Sequence, residues 1–117
     1  MGFIYLLYTI SVFCNGVNLA TCSENFSYDV AEADTFPFPA MLAALYSVSQ
    51  VPYDFDEASA NGDVTCHIQV TATCGCTCKT VESCEAVTST IDAVVALYSA
   101  LNLAAEKLLP DAGGRLA

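Results

Sequence analysis

Between Val64 and Lys79 the chain alternates apolar or cysteine residues with polar ones at every step. Val64, Cys66, Ile68, Val70, Ala72, Cys74, Cys76 and Cys78 take one side. Thr65, His67, Gln69, Thr71, Thr73, Thr77 and Lys79 take the other, with Gly75 among them. Successive side chains of a strand point to opposite faces, so a period of two predicts an extended segment with one face buried. Read as a single strand, it carries four of the seven cysteines on its buried side. The pattern describes how a fold is held together and names no substrate.

The flanking segments supply partners. Val51 to Glu57 alternates Tyr53 and Phe55 with Asp54 and Asp56, and Asn61-Gly62 is a strong reverse-turn dipeptide. A hairpin of 51–57 against the strand that starts at Val64 is therefore expected. Residues 20–38 read as irregular, with scattered Asn, Ser and Asp and with Pro37 and Pro39 opposing a continuous helix. Pro39 opens a short helix to about Ser49, which places Leu42, Leu45, Tyr46 and Ser49 on one side. No internal repeat is legible.

The last element reads as a helix from Val81 to Leu109, capped by Thr80, with Glu82 and Glu85 at its positive end and Lys107 at its negative end. Cys84, Val87, Ile91, Val94, Tyr98, Leu101, Ala105 and Leu108 recur at spacings of three and four. Val87, Ile91, Val94, Tyr98, Leu101 and Leu108 are thus the expected helix interface, and with Val95, Ala96, Leu97 and Leu103 widening the apolar surface the helix is either central in its own domain or shared between subunits. The fold class that follows is α+β: a small, mostly antiparallel sheet packed against a long carboxy-terminal helix and stabilised by disulfides.

Phe3 to Phe13 is an uncharged apolar run, too short for a membrane-spanning helix, which needs roughly 20 apolar residues. Its length fits the core of a signal peptide, and cleavage after Gly16 would remove Cys14 and leave six cysteines. No Lys or Arg precedes it, however, and its Tyr, Ile, Val and Phe content equally suits a docking strand or arm. The expected organisation is residues 1–16 as this apolar segment and 17–117 as a single domain. Asn25-Phe26-Ser27 is a glycosylation acceptor triplet, which matters only in a secretory compartment.

Charge narrows the function classes. Thirteen acids against three Lys and Arg give a formal net charge of −10. No basic cluster exists to displace the counterions of a polyphosphate, so nucleic-acid partners are excluded. Only 14 % of residues are charged while 55 % are apolar, and a soluble domain normally carries about 25 % charged residues. Surface buried against neighbouring subunits accounts for that balance. The expected partners are copies of the chain itself or other structural subunits, with no stable membrane span.

Seven cysteines in 117 residues imply disulfides or a metal site. Cys22, Cys66, Cys74, Cys76, Cys78 and Cys84 are the disulfide candidates, with Cys84 expected to bond back to Cys76 or Cys78. Cys14 is the candidate for a bond between chains. The rival is a thiolate metal centre drawn from Cys66, His67, Cys74, Cys76, Cys78 and Cys84; the absence of paired Cys-x-x-Cys knuckles argues against it. His67 is the sole histidine and reads as a structural residue on a sheet, and the acids near Asn61-Gly62 do not match a calcium-loop spacing.

The functional expectation is a non-enzymatic structural or assembly subunit of an extracytoplasmic or virion assembly (shell, tail or filament), without a cofactor. A small secreted cysteine-rich binding protein or effector acting as a monomer is the alternative. A thiolate metal-binding protein is the distant third.

Overall fold

In a computed structural model, residues 3–29, 37–51, 54–55 and 63–108 are described. The chain runs β1 (Phe3–Cys14), β2 (Val17–Asp29), α1 (Pro37–Ser49), β3 (Val64–Cys74), β4 (Thr77–Ala86) and α2 (Thr90–Leu108). The four strands form one antiparallel sheet in the order β2-β1-β3-β4. The α+β expectation and the packing of the carboxy-terminal helix on the sheet both hold.

The apolar first segment forms β1, which lies in the middle of the sheet between β2 and β3. Ile4, Leu6, Tyr8, Ile10 and Val12 are buried on the helix-covered face, and Tyr5 and Leu7 are exposed on the other. β1 thus pairs within its own chain, and the 16/17 boundary falls inside its hairpin turn.

Two glycine turns set the strand register. Asn15 and Gly16 both have positive φ, 52° and 84°, the backbone of a two-residue type I′ hairpin. Gly75, with φ 61°, is the first central residue of the second turn, where a II′ hairpin places glycine. A Cβ at either glycine would meet nothing within 4 Å, so backbone conformation and not crowding requires them. The Asn15 side chain also accepts a 3.1 Å hydrogen bond from the Asp63 amide, and the Asp63 carbonyl accepts one of 2.9 Å from the Asn15 amide. The first turn is thereby tied to the residue that leads into β3.

The second turn corrects the reading of 64–79 as one strand. Cys74 faces Thr77 across the hairpin and Val70 faces Val81. Directly opposed residues share a face, so in β4 the helix-covered positions are Thr77, Lys79, Val81, Ser83 and Glu85. Cys78 and Cys84 therefore lie on the face opposite to Cys66 and Cys74, and Cys76 sits in the turn. The four cysteines do not share a side.

Other boundaries move for related reasons. Residues 17–29, of which 20–29 were expected to be irregular, form an edge strand whose only ladder partner among the described residues is β1. β3 pairs with β1 and β4 on its two edges, which leaves no place beside it for the expected strand 51–57. Within that stretch Val51 and Phe55 are buried and Asp54 is exposed; residues 52–53 and 56–57 and Asn61-Gly62 lie outside the described residues. The expected helix start at Val81 is also wrong: residues 81–86 are strand, with Glu82 and Glu85 in β4, and α2 begins at Thr90. Its cap is Ser89, whose Oγ accepts from the Asp92 amide at 3.2 Å. The Asp92 carboxylate reaches back to the Thr88 hydroxyl (2.7 Å) and amide (2.9 Å), which lower its pKa in that order.

The core lies between the sheet and the helix pair. Ala93, Val94, Leu97, Ala100, Leu101, Ala104 and Ala105 of α2 are buried, as are Ala40, Ala44, Ser47 and Val48 of α1. Small residues let α1 approach α2 closely, and Leu42, Leu45, Tyr46 and Ser49, which share one side as expected, form its exposed side. The expected interface of α2 is likewise split. Val94 and Leu101 are core residues of this chain, Tyr98 packs against them, and Val87 is buried before the helix begins. Of the five whose side chains are described, Ile91 alone stands out in solvent, 73 % exposed; the Leu108 side chain lies outside the described set. Val95 and Leu103 join Ile91 as the exposed apolar residues of α2.

One symmetry was hidden in the sequence. The order β-β-α occurs twice, and β1 pairs with β3 such that Thr9 opposes Gln69, sixty residues later. Cys14 and Cys74, also sixty apart, close the first strand of each hairpin. An approximate two-fold axis therefore passes through the Thr9–Gln69 pair.

Candidate functional site

Both helices lie on one side of the sheet, so its other face is open among the described residues. Its composition changes along the strands. At one end, beside the Gly75 turn, Phe3, Tyr5 and Leu7 project outward, 51 %, 57 % and 57 % exposed. Thr73 links Tyr5 to Cys78 across β3. The middle is a hydroxyl-rich band in which Thr9 and Ser23 bond at 2.8 Å, the Thr21 hydroxyl donates to Ser11 at 3.2 Å, and Thr71 and Thr80 bond at 3.3 Å.

The chemistry is at the other end. β3 and β4 bring His67 and Cys84 directly opposite each other, and Cys84 Sγ lies 3.4 Å from His67 Nε2. In the tautomer that carries its proton on Nδ1, the imidazole accepts the thiol hydrogen. Phe13 of β1 holds the ring from the far side, with centroids 4.4 Å apart and planes inclined by 52°. A shallow cavity of about 230 Å³ opens beside the pair, lined mainly by Thr9, Ser11, His67, Gln69, Glu82 and Ser83. His67 was expected to be purely structural. What exposes the pair is the hairpin register, which follows only once Gly75 is read as a turn.

A second depression, of about 460 Å³, runs between β4 and α2. Val81, Ala96, Ala100 and Leu103 give it an apolar floor, while Glu82, Glu85 and Asp92 are its acids. The Ser83 hydroxyl at its margin is buried without a hydrogen-bond partner among the described residues.

All seven cysteines are free thiols. Cys84 and Cys78 lie six residues apart on one strand, roughly 20 Å, far beyond the span of a disulfide. Cys76 is farther still, so the bond expected from Cys84 to either residue does not form within the chain. No two cysteines occupy opposed positions in the strand register. Cys14, Cys22, Cys66 and Cys74 line the helix-covered side; Cys76, Cys78 and Cys84 are exposed. Burial pushes the Cys66 thiol up to about 11, with the negative charge of a nearby Cys84 thiolate adding to it, and burial likewise raises Cys22. Among the described residues no group of three or more His, Cys, Asp or Glu is arranged to hold a metal ion. No described helix is long and apolar enough to cross a membrane.

No protein-family model, curated protein or solved structure matches this chain.

Proposed function

We propose that this chain is a non-enzymatic structural subunit of an extracytoplasmic or virion assembly, in which copies meet through the open sheet face and are fixed by disulfides between chains. The observation that carries the reading is the patch of Phe3, Tyr5 and Leu7, three neighbouring outward positions of β1, each at least half exposed. A monomer rarely leaves large apolar side chains clustered in this way. The occupant is argued from charge. The protein as a whole carries −10, so two copies repel over most of their surface. On the open face Asp29 opposes Phe3 at the margin of the patch and Glu82 lies in the central row opposite Gln69, while the positions beside Tyr5 and Leu7 are Ser27, Asn25, Thr73 and Thr71, uncharged residues that let this part of the face meet another copy of itself.

The thiols support the same reading. Cys76 and Cys78 are exposed at the patch end of the sheet and form no disulfide within their own chain. Covalent closure between neighbours, in an oxidising compartment, uses them directly. On the helix side, Leu42, Leu45, Tyr46, Ile91, Val95 and Leu103 are also exposed, so a second neighbour has an apolar surface to cover. Subunits of shells and filaments are contacted on opposite sides in this manner.

The test is a pair of variants. Tyr5→Thr/Leu7→Thr removes the apolar patch and should leave a folded monomer in reductant. Cys76→Ser/Cys78→Ser should lose the covalent species on non-reducing gels and keep the reversible association. Unchanged association of the Tyr5→Thr/Leu7→Thr variant would refute the assignment of this face.

A further inference from the structure

The pair formed by Cys84 and His67 lies at the opposite end of the open face from the apolar patch, so its chemistry is independent of the docking reading. We propose that it is a thiol–disulfide exchange site for small disulfides bearing amino groups. Three observations converge on it. The Cys84 thiol is exposed, and the only imidazole in the chain is 3.4 Å from its sulfur. Phe13 fixes that imidazole in place. A polar cavity, large enough for half of a small disulfide, opens against His67, with Ser83, the chain neighbour of Cys84, in its wall.

The step balances without a further reagent. The proton passes from Cys84 Sγ to His67 Nε2, leaving a thiolate beside an imidazolium. The thiolate attacks the nearer sulfur of the incoming disulfide R–S–S–R. A new S–S bond joins Cys84 to that sulfur, the original S–S bond breaks, and the departing thiolate takes the proton from the imidazolium. Cys84 is oxidised to the mixed disulfide and one R–S half is reduced to the thiol.

Charge selects the substrate. Glu82 is two residues from Cys84 on the same face and lines the cavity, so an ammonium group on the disulfide is attracted there. β1 presents Thr9, Ser11 and Phe13 to this end, none of them charged, and Glu85 and Cys66 belong to the other face. Anionic disulfides meet both Glu82 and the overall negative charge.

Cys78 supplies an internal reference, being exposed on the same face of the same strand with a threonine hydroxyl, not an imidazole, at its sulfur. The fully reduced chain is treated briefly with cystamine at neutral pH, and adducts at Cys84 and Cys78 are quantified by peptide mass spectrometry. Cys84 is expected to react about tenfold faster or more, given the usual contribution of a positioned base. His67→Ala and His67→Gln should bring it down to the rate of Cys78, which itself stays unchanged and so reports that the fold is intact. Glu82→Gln should slow cystamine but leave the rate with uncharged hydroxyethyl disulfide as it was. Equal rates at Cys84 and Cys78 in the unaltered chain, or a Cys84 rate indifferent to His67, would overturn the proposal. Equal slowing of both reagents in Glu82→Gln would overturn its substrate class.

Discussion

Tyr8 and Ser47 form a buried side-chain hydrogen bond between the centre of β1 and the inner face of α1. Tyr8 is 2 % exposed and Ser47 fully enclosed. Burial is the largest influence on the Tyr8 phenol and raises its pKa above 10, so the group is neutral throughout the physiological range. Tyr8→Phe leaves the Ser47 hydroxyl without this partner, and Ser47→Ala does the same to the phenol. Each orphaned group costs about 1–3 kcal/mol, because its lost hydration is no longer compensated. Once both hydroxyls are gone nothing polar remains stranded, so the double variant should cost little more than either single one. The cycle should yield a coupling of about 1–2 kcal/mol. For a chain of this size each kcal/mol corresponds to roughly 3–6 °C in Tm. Urea unfolding in reductant at neutral pH, with the slopes held equal among the four proteins, measures this directly. Additive single effects, or neutral single variants, would refute the argument that this bond pins α1 to the sheet.

Alkaline pH should destabilise the fold through Cys66. Its folded pKa of about 11 lies above the ordinary value of 9.0, so the neutral thiol is favoured in the core. That contribution is complete below pH 9 and is lost as pH rises towards 11, at most about 2–3 kcal/mol at 1.36 kcal/mol per unit. Cys66→Ala should flatten the fall in urea stability between pH 9 and 11, leaving the smaller parts due to Tyr8 and Cys22. Gly16→Ala should destabilise by about 1 kcal/mol or more because an alanine is strained at φ 84°, although the space is open. Ser89→Ala should cost about 1 kcal/mol by removing the cap of α2. Thermal unfolding of each variant checks both values.

Local periodicity made parts of this fold legible. The alternation of Val64 to Cys74 is strand, its apolar side is the core side, and the apolar first segment had the composition of a strand. What escaped was the reversal of parity at each turn. Gly75 fell among the polar residues of an unbroken alternation, so the turn looked like strand, and a two-residue hairpin then moved Cys78 and Cys84 to the opposite face. Asn15-Gly16, between two strand-forming runs, was the visible signal for β1–β2; the Asn, Ser and Glu content of β2 masked it because such residues are poor strand formers away from an edge. Residues 81–86 carry helix-compatible side chains, and pairing with β3 overrides that preference. The α1 orientation was unreadable because Ala40, Ala44 and Ser47 are buried for closeness to α2, a tertiary requirement that favours small side chains over Leu42 and Leu45. The proximity of His67 to Cys84 followed from register alone, and only with the second turn in place.

The claim that the open face brings copies together is tested most directly by the molar mass of the unaltered chain in reductant, followed by sedimentation equilibrium over increasing concentration. A mass that climbs from monomer to dimer or beyond without any S–S bond is the predicted outcome. A single monomeric mass across the whole range would contradict it.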